Sequence, residues 1–170
     1  MDSDDAADVI GELEPDEKEE ALSQLEENDR AVLEALLSYP EDSAGGIMQV
    51  ERAQVSQETT VAETISMLRE LVQEGIDPHL VYVVKDDNQL VGCIDIVGLV
   101  LNPSERQVGE FAEQPDATVK PLLDQEKVAD LFRKYDLVAL PVVDDTGRLL
   151  GRILFDDIVD VLTEEAEEDA

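Results

Sequence analysis

The sequence is poor in aromatic and basic residues, and both shortages restrict what the protein can be. Tryptophan is absent and aromatic residues make up 4% of the 170 positions, so a core must be built from Leu, Val, Ile and Ala. Twelve basic residues stand against 43 acidic ones, which gives a formal charge of −31. A field of this sign repels nucleic acid and anionic membranes and attracts cations. Nucleic-acid binding is therefore excluded.

Cysteine and histidine occur once each, as Cys93 and His79. A lone cysteine cannot form an intramolecular disulfide, which favours a reducing compartment. One Cys and one His cannot supply the roughly four ligands of a structural zinc site. The sequence also has no phosphate-binding Gly loop, no nucleophile elbow and no second His, so we predict that it is not an enzyme. Cys93 lies in an apolar run and is predicted to be a core residue; His79 is predicted to lie at the surface.

Long hydrophobic runs are missing as well. The longest, residues 90–101, is too short to span a bilayer and contains Asp95. The first residues, MDSDD, do not have the pattern of a signal peptide. We therefore expect this chain itself to be soluble.

The first 48 residues have apolar positions at helical spacing and predict three short, acidic helices. Pro15 suits a first helical turn, and Asn28 with Asp29 suits a cap. Residues 39–46, YPEDSAGG, interrupt this pattern with Pro, Gly and small polar residues and predict a linker or hinge.

An internal repeat follows the linker. Residues 83–92, VVKDDNQLVG, align without gaps with residues 142–151, VVDDTGRLLG, at an offset of 59. Each copy reads as two strands joined by a turn, with helical stretches before it (61–72 and 127–135) and after it (96–101 and 156–163). The predicted fold is therefore mixed α/β (α+β), a β-α-β-β-α unit used twice after a short acidic helical segment.

This unit, ending in Gly-x-hydrophobic-x-x-x-Asp at residues 151–157, resembles the CBS motif, which works in tandem pairs as a regulatory module. Two further stretches, YPEDSAGGIM at 39–48 and YDLVALPVVD at 135–144, resemble the MgtE family of magnesium transporters and channels. The resemblance implies the end of a helical N domain at 1–38, a linker at 39–48, CBS repeats at 49–105 and 106–163, and an acidic tail at 164–170. That tail would lead towards a helix joining a membrane pore domain that this sequence lacks.

Mg²⁺ prefers octahedral oxygen ligands and often keeps several waters, so paired carboxylates suit it. Asp157 and Asp160 are spaced i,i+3, and Asp4 and Asp8 are spaced i,i+4. The resemblance adds acids late in the N domain that hold bridging Mg²⁺ against the CBS pair. The predicted metal ligands are Asp4, Asp8, Asp124, Glu126, Asp136, Asp157, Asp160, Glu165, Glu168 and Asp169. Helix capping is the alternative for Asp124, and a solvated tail is the alternative for residues 164–170.

The resemblance implies a homodimeric Mg²⁺ sensor at the cytoplasmic face of the membrane, whose metal-loaded form closes the pore; Ca²⁺ and Mn²⁺ are alternative ions. Two other readings stay open. A salt-adapted surface would explain the charge without specific ion sites, and only five residues are Lys. CBS pairs also bind adenine nucleotides such as ATP through an Asp and a preceding hydroxyl. The second copy keeps Asp157 but has Leu154 at the hydroxyl position, and the first has Asp95 and Gly98 in those two places.

Overall fold

A computed structural model describes the backbone of residues 37–168 and the side chains as far as residue 163. The three helices predicted before residue 37 lie outside this part of the chain. The described elements are α1 (Ala44–Ile47), β1 (Gln54–Ser56), α2 (Val61–Gln73), β2 (Val81–Lys85), β3 (Gln89–Ile94), α3 (Ile96–Leu101), α4 (Gln125–Tyr135), β4 (Ala139–Val143), β5 (Leu149–Leu154) and α5 (Phe155–Glu168), with 3-10 turns at Asp86–Asn88 and Val108–Glu110. None of the described helices is long and apolar enough to cross a membrane.

The first repeat forms a three-stranded sheet in the order β1-β2-β3, with β1 parallel and β3 antiparallel to the central strand. Helix α2 begins at a reciprocal capping box, in which the Thr60 side chain accepts from the Glu63 N–H and the Glu63 carboxylate accepts from the Thr60 N–H. Its buried face packs on the sheet, and the helix gives way to Gly75, whose φ of 85° is left-handed. The first copy therefore has its own hydrophobic core.

The second repeat repeats this arrangement with one difference. Strands β4 and β5 pair antiparallel, and the register shifts between Val142 and Val143 at the position where β2 shifts between Val83 and Val84. Val119 pairs in parallel with Val142 as an isolated bridge, where the first repeat has strand β1. The predicted α/β (α+β) repeat is confirmed, with the leading strand of the second copy reduced to one bridging residue.

The two repeats exchange their leading segments. Gln49, at the start of the first repeat, exchanges backbone hydrogen bonds of 2.9 and 2.8 Å with Arg152 in β5 of the second. Glu113, in the leading segment of the second repeat, exchanges bonds of 2.8 and 3.0 Å with Cys93 in β3 of the first. Arg152 and Cys93 are 59 residues apart and hence equivalent. Each repeat thus depends on chain that belongs to the other.

The segment predicted as a linker or hinge is packed against the second repeat. The N–H groups of Ala44 and Gly45 donate to the carbonyl oxygens of Leu123 and Pro121, at 2.8 and 2.7 Å. Ala44 and Met48 are buried in the core of that repeat. Ser43 caps α1 by accepting from the Gly46 N–H. The Gly-rich sequence follows from close packing, because a Cβ on Gly45 would lie 2.5 Å from the Tyr39 ring.

The turns of the two hairpins also meet. The Asn88 side chain donates to the Leu149 carbonyl at 2.7 Å and accepts from the Gln54 side chain at 2.6 Å. The Leu90 N–H donates to the Gly147 carbonyl, and a small apolar cluster of Tyr82, Val84 and Leu149 lies beneath these contacts. These contacts fix the second hairpin against the first.

Gly92 in β3 lies against the segment at Glu113, and a Cβ added to it would lie 2.6 Å from the Glu113 carbonyl oxygen. We expect Gly92→Ala to lower the free energy of unfolding by about 1–3 kcal/mol, because either β3 or the 113 segment must shift. Chemical denaturation of this variant beside Glu105→Ala, at an exposed position, measures the effect. The control should stay within about 0.5 kcal/mol of the parent. If the two variants were equally stable, close packing of β3 against the segment at Glu113 would be contradicted.

Candidate functional site

Asp124 and Glu126, predicted as metal ligands, lie at the beginning of α4. Asp124 is the N-cap residue, and its Oδ1 accepts from the Glu126 N–H at 2.9 Å. Glu126 lies in the first turn, where a negative charge complements the helix dipole. Both side chains are exposed. The capping role considered for Asp124 is confirmed, and the metal role of both residues stays a prediction.

Asp136 ends α4 in the left-handed conformation, with φ 52° and ψ 48°. Asp is among the few residues that adopt this conformation readily, because its short polar side chain can bond locally. The side chain is exposed and lines a cavity between the repeats. Glu113 and Asp116, on the segment that crosses between the repeats, line the same cavity.

Asp157 and Asp160, one helical turn apart, have different environments. The Asp157 carboxylate is largely buried, with 15% of the side chain exposed, and accepts from the Leu154 N–H at 2.9 Å and the Gln49 side chain at 3.2 Å. Its Oδ2 also lies 3.9 Å from Arg152 Nη1. Asp160 is exposed. The two carboxylates therefore differ in exposure and in hydrogen bonding, although they lie on the same helix.

The remaining predicted ligands lie at or beyond the limits of the described structure. Glu165 and Glu168 fall within α5, but their side chains are not described. Asp4, Asp8 and Asp169 lie outside the described residues. Among the residues whose structure is described, no three acidic, His or Cys side chains converge in a way that could hold a metal ion.

The sequence did not reveal an ion-pair network around Arg152. Its Nε lies 3.1 Å from Glu51 Oε2, and both side chains are partly buried, with 13% and 10% exposed. Glu51 also accepts from the Ala53 N–H at 2.7 Å. The available signal was Arg152 itself, a charged residue in the apolar strand LLGRIL at a position where the first repeat has Cys93.

The two repeats cap their final helices in opposite ways. In the first repeat the Asp95 carboxylate at the N-cap accepts from the Gly98 N–H at 2.7 Å. In the second repeat the Asp157 carboxylate, in the equivalent position to Gly98, accepts from the Leu154 N–H. Each copy thus has half of a capping box. The departures from the nucleotide pattern, Asp95 with Gly98 and Leu154 with Asp157, therefore have a structural explanation.

The cavity between the repeats has a volume of about 270 Å³. Its walls combine apolar and acidic residues and include no basic side chain; they are Leu80, Tyr82, Cys93, residues 113–117, residues 136–139 and Pro141. Burial raises the pKa of the Cys93 thiol, and the Asp116 and Glu113 carboxylates raise it further. The thiol is therefore largely protonated at neutral pH and poorly nucleophilic. His79 is exposed, as predicted.

Tyr82, in β2, is among the largest fully buried side chains of the described residues. It is 1% exposed, and its hydroxyl has no hydrogen-bond partner among the described residues. Burial raises the pKa of its hydroxyl, the negative charge of Glu51 raises it further, and Arg152 opposes the effect. Tyr82 and Cys93 line the same cavity.

Sequence comparison identifies two families in the chain. The MgtE intracellular N domain matches residues 1–42, and the CBS domain matches residues 108–164. The magnesium transporter MgtE of Thermus thermophilus is 35% identical over 165 residues, which cover 97% of this chain and 37% of that protein. The MgtE of Bacillus subtilis is 34% identical over 169 residues, covering 99% and 38%. The chain thus spans less than two fifths of the length of these relatives.

Solved structures agree with this match. The soluble part of a magnesium transporter has a TM-score of 0.88 and 32% identity, over 98% of this chain and 65% of that one. The cytosolic domain of the Mg²⁺ channel MgtE in complex with ATP has a TM-score of 0.85 and 34% identity, over 95% and 66%. A cystathionine β-synthase (CBS) pair domain from Shewanella oneidensis has a TM-score of 0.75 at 18% identity, over 98% and 96%, and so supports the CBS-pair fold.

The contrast between Asp157 and Asp160 gives a direct test of the capping role. We expect Asp157→Ala to lower the free energy of unfolding by about 1–2 kcal/mol, because it removes the acceptor of the Leu154 N–H at the start of the helix and a carboxylate near Arg152. Asp160→Ala, which removes the same charge from an exposed position of the same helix, should change it by less than about 0.5 kcal/mol. Urea denaturation in metal-free buffer measures both. Equal losses would mean that Asp157 has no special structural role.

Proposed function

Because the chain belongs to the MgtE family, we propose that it is the Mg²⁺-sensing regulatory part of a magnesium transporter or channel. On this proposal it acts at the cytoplasmic face of the membrane and controls a pore domain elsewhere in the full-length protein. The observation that carries the proposal is the similarity to MgtE proteins along 97% and 99% of this chain. We also propose the division into an N-domain end at 1–38, a linker at 39–48, CBS repeats at 49–105 and 106–163, and an acidic tail at 164–170.

The mechanism is electrostatic. Asp4 and Asp8 would face the CBS pair, where Asp124, Glu126 and Asp136 are exposed. Two like charges about 4 Å apart repel by about 4 kcal/mol at an effective dielectric constant of 20. Mg²⁺ between the surfaces would replace this repulsion with attraction and favour the closed assembly. Exposed ligands suit Mg²⁺, which keeps several of its waters.

The packing of residues 39–48 against the second repeat supports a way for movement of the N domain to reach the CBS pair. Because residues 42–45 are hydrogen-bonded to residues 121–125, the chain preceding them leaves from the edge of the second repeat. Asp124, one of the proposed CBS-side ligands, pairs with Ser43 in that contact. An N domain drawn in by Mg²⁺ would therefore act on a rigid anchor, and its movement would be transmitted to the CBS pair.

Adenine-nucleotide sensing is the second candidate. It is supported by the similarity to the cytosolic domain in complex with ATP and by the cavity between the repeats. A salt-adapted acidic surface without specific ion sites is the third reading and would account for the charge of −31 alone. Ca²⁺ and Mn²⁺ remain alternatives to Mg²⁺, because both also bind oxygen ligands.

Thermal unfolding with added ions separates these readings. We expect millimolar MgCl₂ to raise Tm, by about 3–6 °C at a tenfold excess over Kd, while NaCl of equal ionic strength does not. Asp4→Asn/Asp8→Asn should reduce the rise, whereas Asp86→Asn/Asp145→Asn, which removes two exposed charges from the hairpin turns, should not. An equal response to NaCl would leave only the salt-adapted surface, and a response to ATP without Mg²⁺ would favour nucleotide sensing.

We also propose that the first repeat forms a homodimer through α2 and α3. Val97, Val100 and Leu101 are 63%, 71% and 78% exposed. They lie beside an apolar groove of about 470 Å³ between the two helices, lined by residues such as Ile65, Leu68 and Val72. A contiguous apolar surface of this kind usually marks an interface, and a two-fold dimer buries the same patch on both copies.

Sedimentation tests the dimer. Val97→Asp should shift the chain towards monomer, because it places two charges in the apolar contact of a symmetric pair. The substitution suits the first turn of α3, where an acid is favourable, so the fold should persist. Ser104→Asp adds the same charge at an exposed polar position nearby and should leave the association unchanged. A Val97→Asp chain that dimerises like the parent would contradict this interface.

A further inference from the structure

The chain crosses from one repeat to the other at two equivalent places. In the 49–53 crossing Gln49 exchanges two backbone hydrogen bonds with Arg152, and in the 113–117 crossing Glu113 exchanges two with Cys93. The lengths of all four bonds lie between 2.8 and 3.0 Å. Because the backbone bonds match, a difference in strength between the crossings depends on the side chains around them.

Side chains reinforce the 49–53 crossing. Glu51 Oε2 lies 3.1 Å from Arg152 Nε, and only 10% and 13% of these side chains are exposed. Gln49 Nε2 donates to Asp157 Oδ1 at 3.2 Å, which joins the crossing to the first turn of α5. An ion pair with so little access to water strongly disfavours any movement that separates its charges. These four side chains, of Gln49, Glu51, Arg152 and Asp157, are called the clamp below.

The 113–117 crossing has weaker side-chain support. Gln114 Nε2 donates to the Val91 carbonyl oxygen at 2.9 Å, but this hydrogen bond is neutral and exposed to solvent. At the position equivalent to Arg152, the small Cys93 side chain borders the 270 Å³ cavity. A neutral hydrogen bond in water contributes little net stability, and atoms that border a cavity have fewer packing contacts. This crossing therefore costs less free energy to open.

Like charges also surround the 113–117 crossing. Glu113 and Asp116 on the crossing line the cavity together with Asp136 at the end of α4, and none of the lining residues is Lys or Arg. Asp95, which follows β3, lines an adjoining cavity with Cys93 and Glu113. Carboxylates from both repeats and from the crossing thus repel one another here, and dissolved salt screens this repulsion.

We propose that the module contains an asymmetric hinge, in which the clamp keeps the 49–53 crossing closed and the repeats open at the 113–117 crossing. The clamp and the contacts between the hairpin turns form the pivot of this movement. Because acidic residues line the opening side, dissolved cations favour its closure by screening alone. The inference concerns the described part of the chain by itself and does not rest on the proposed function.

Amide hydrogen exchange of the whole chain in metal-free buffer tests the hinge, because each crossing engages two N–H groups in equivalent bonds. After correction for intrinsic rates, we expect Cys93 and Glu113 to exchange about tenfold faster than Gln49 and Arg152, which corresponds to an opening free energy lower by about 1.4 kcal/mol. Equal protection at the two crossings, or slower exchange at Cys93 and Glu113, would overturn the hinge.

Salt tests the contribution of the carboxylates. Added NaCl should slow exchange at Cys93 and Glu113 by a larger factor than at Gln49 and Arg152, because screening reduces repulsion only where the acids are unpaired with bases. Slowing by the same factor at both crossings would overturn the electrostatic part of the proposal.

Paired variants test whether the clamp is the cause. Arg152→Gln/Glu51→Gln removes both charges and keeps polar side chains, so exchange at positions 49 and 152 should become about tenfold faster and approach that of the other crossing. Arg148→Gln/Asp87→Asn removes an exposed ion pair of 3.4 Å between the hairpin turns and should leave the difference between the crossings unchanged. A clamp variant that is folded by circular dichroism and keeps the parent's protection at Gln49 would contradict the proposal. If this variant unfolds, the exchange pattern of the parent chain still decides.

These outcomes are separable from those of the proposed function. A Tm rise with Mg²⁺ that NaCl does not reproduce would support ion sensing whichever crossing opens first. Faster exchange at Cys93 and Glu113 would support the hinge even if Mg²⁺ left Tm unchanged.

Discussion

Backbone hydrogen bonds between each repeat and the segment that leads into the other one constrain the rest of the described structure. In the Gln49–Arg152 and Glu113–Cys93 pairs, a residue outside the hairpin bonds to its second strand as an isolated antiparallel bridge. Neither hairpin is complete without chain from the opposite repeat. These hydrogen-bonded segments also explain the glycines at positions 92 and 151. A Cβ added to Gly92 would lie 2.6 Å from the Glu113 carbonyl oxygen, and a Cβ added to Gly151 would lie 2.6 Å from the Gln49 carbonyl oxygen.

The two repeats share one backbone arrangement but differ in the polar side chains that it holds. The equivalent residues Cys93 and Arg152 form the same kind of backbone bridge, but Cys93 borders a cavity whereas Arg152 belongs to a partly buried ion pair. The final helices divide the capping box in the same complementary way, through Asp95 in one copy and Asp157 in the other. A burial-dependent ion pair of this kind gives modest net stability but strongly disfavours arrangements that leave either charge unpaired. It therefore helps to fix one relative placement of the repeats.

The acidic surface and the fold have separate physical origins. The hydrophobic cores are made from aliphatic side chains, and most of the proposed ligands on the described surface are exposed. Carboxylates in such positions add little to the stability of the isolated chain, because water screens them. In the proposed function they would act when a second acidic surface approaches, and the proposed response to Mg²⁺ would need no preformed metal cage.

The sequence by itself determined the local structure and the repeat. Alternating apolar residues around a polar turn specified both hairpins, helical spacing located α2, α4 and α5, and the offset of 59 established the duplication, because these signals depend only on neighbouring residues. It also allowed the capping role of Asp124, which acts two residues along the chain. Only the tertiary structure decided that the 39–48 segment is packed, that Asp157 is engaged by Gln49, and that Arg152 pairs with Glu51. Those contacts join residues about a hundred positions apart, and no local pattern specifies which distant carboxylate a buried guanidinium will meet.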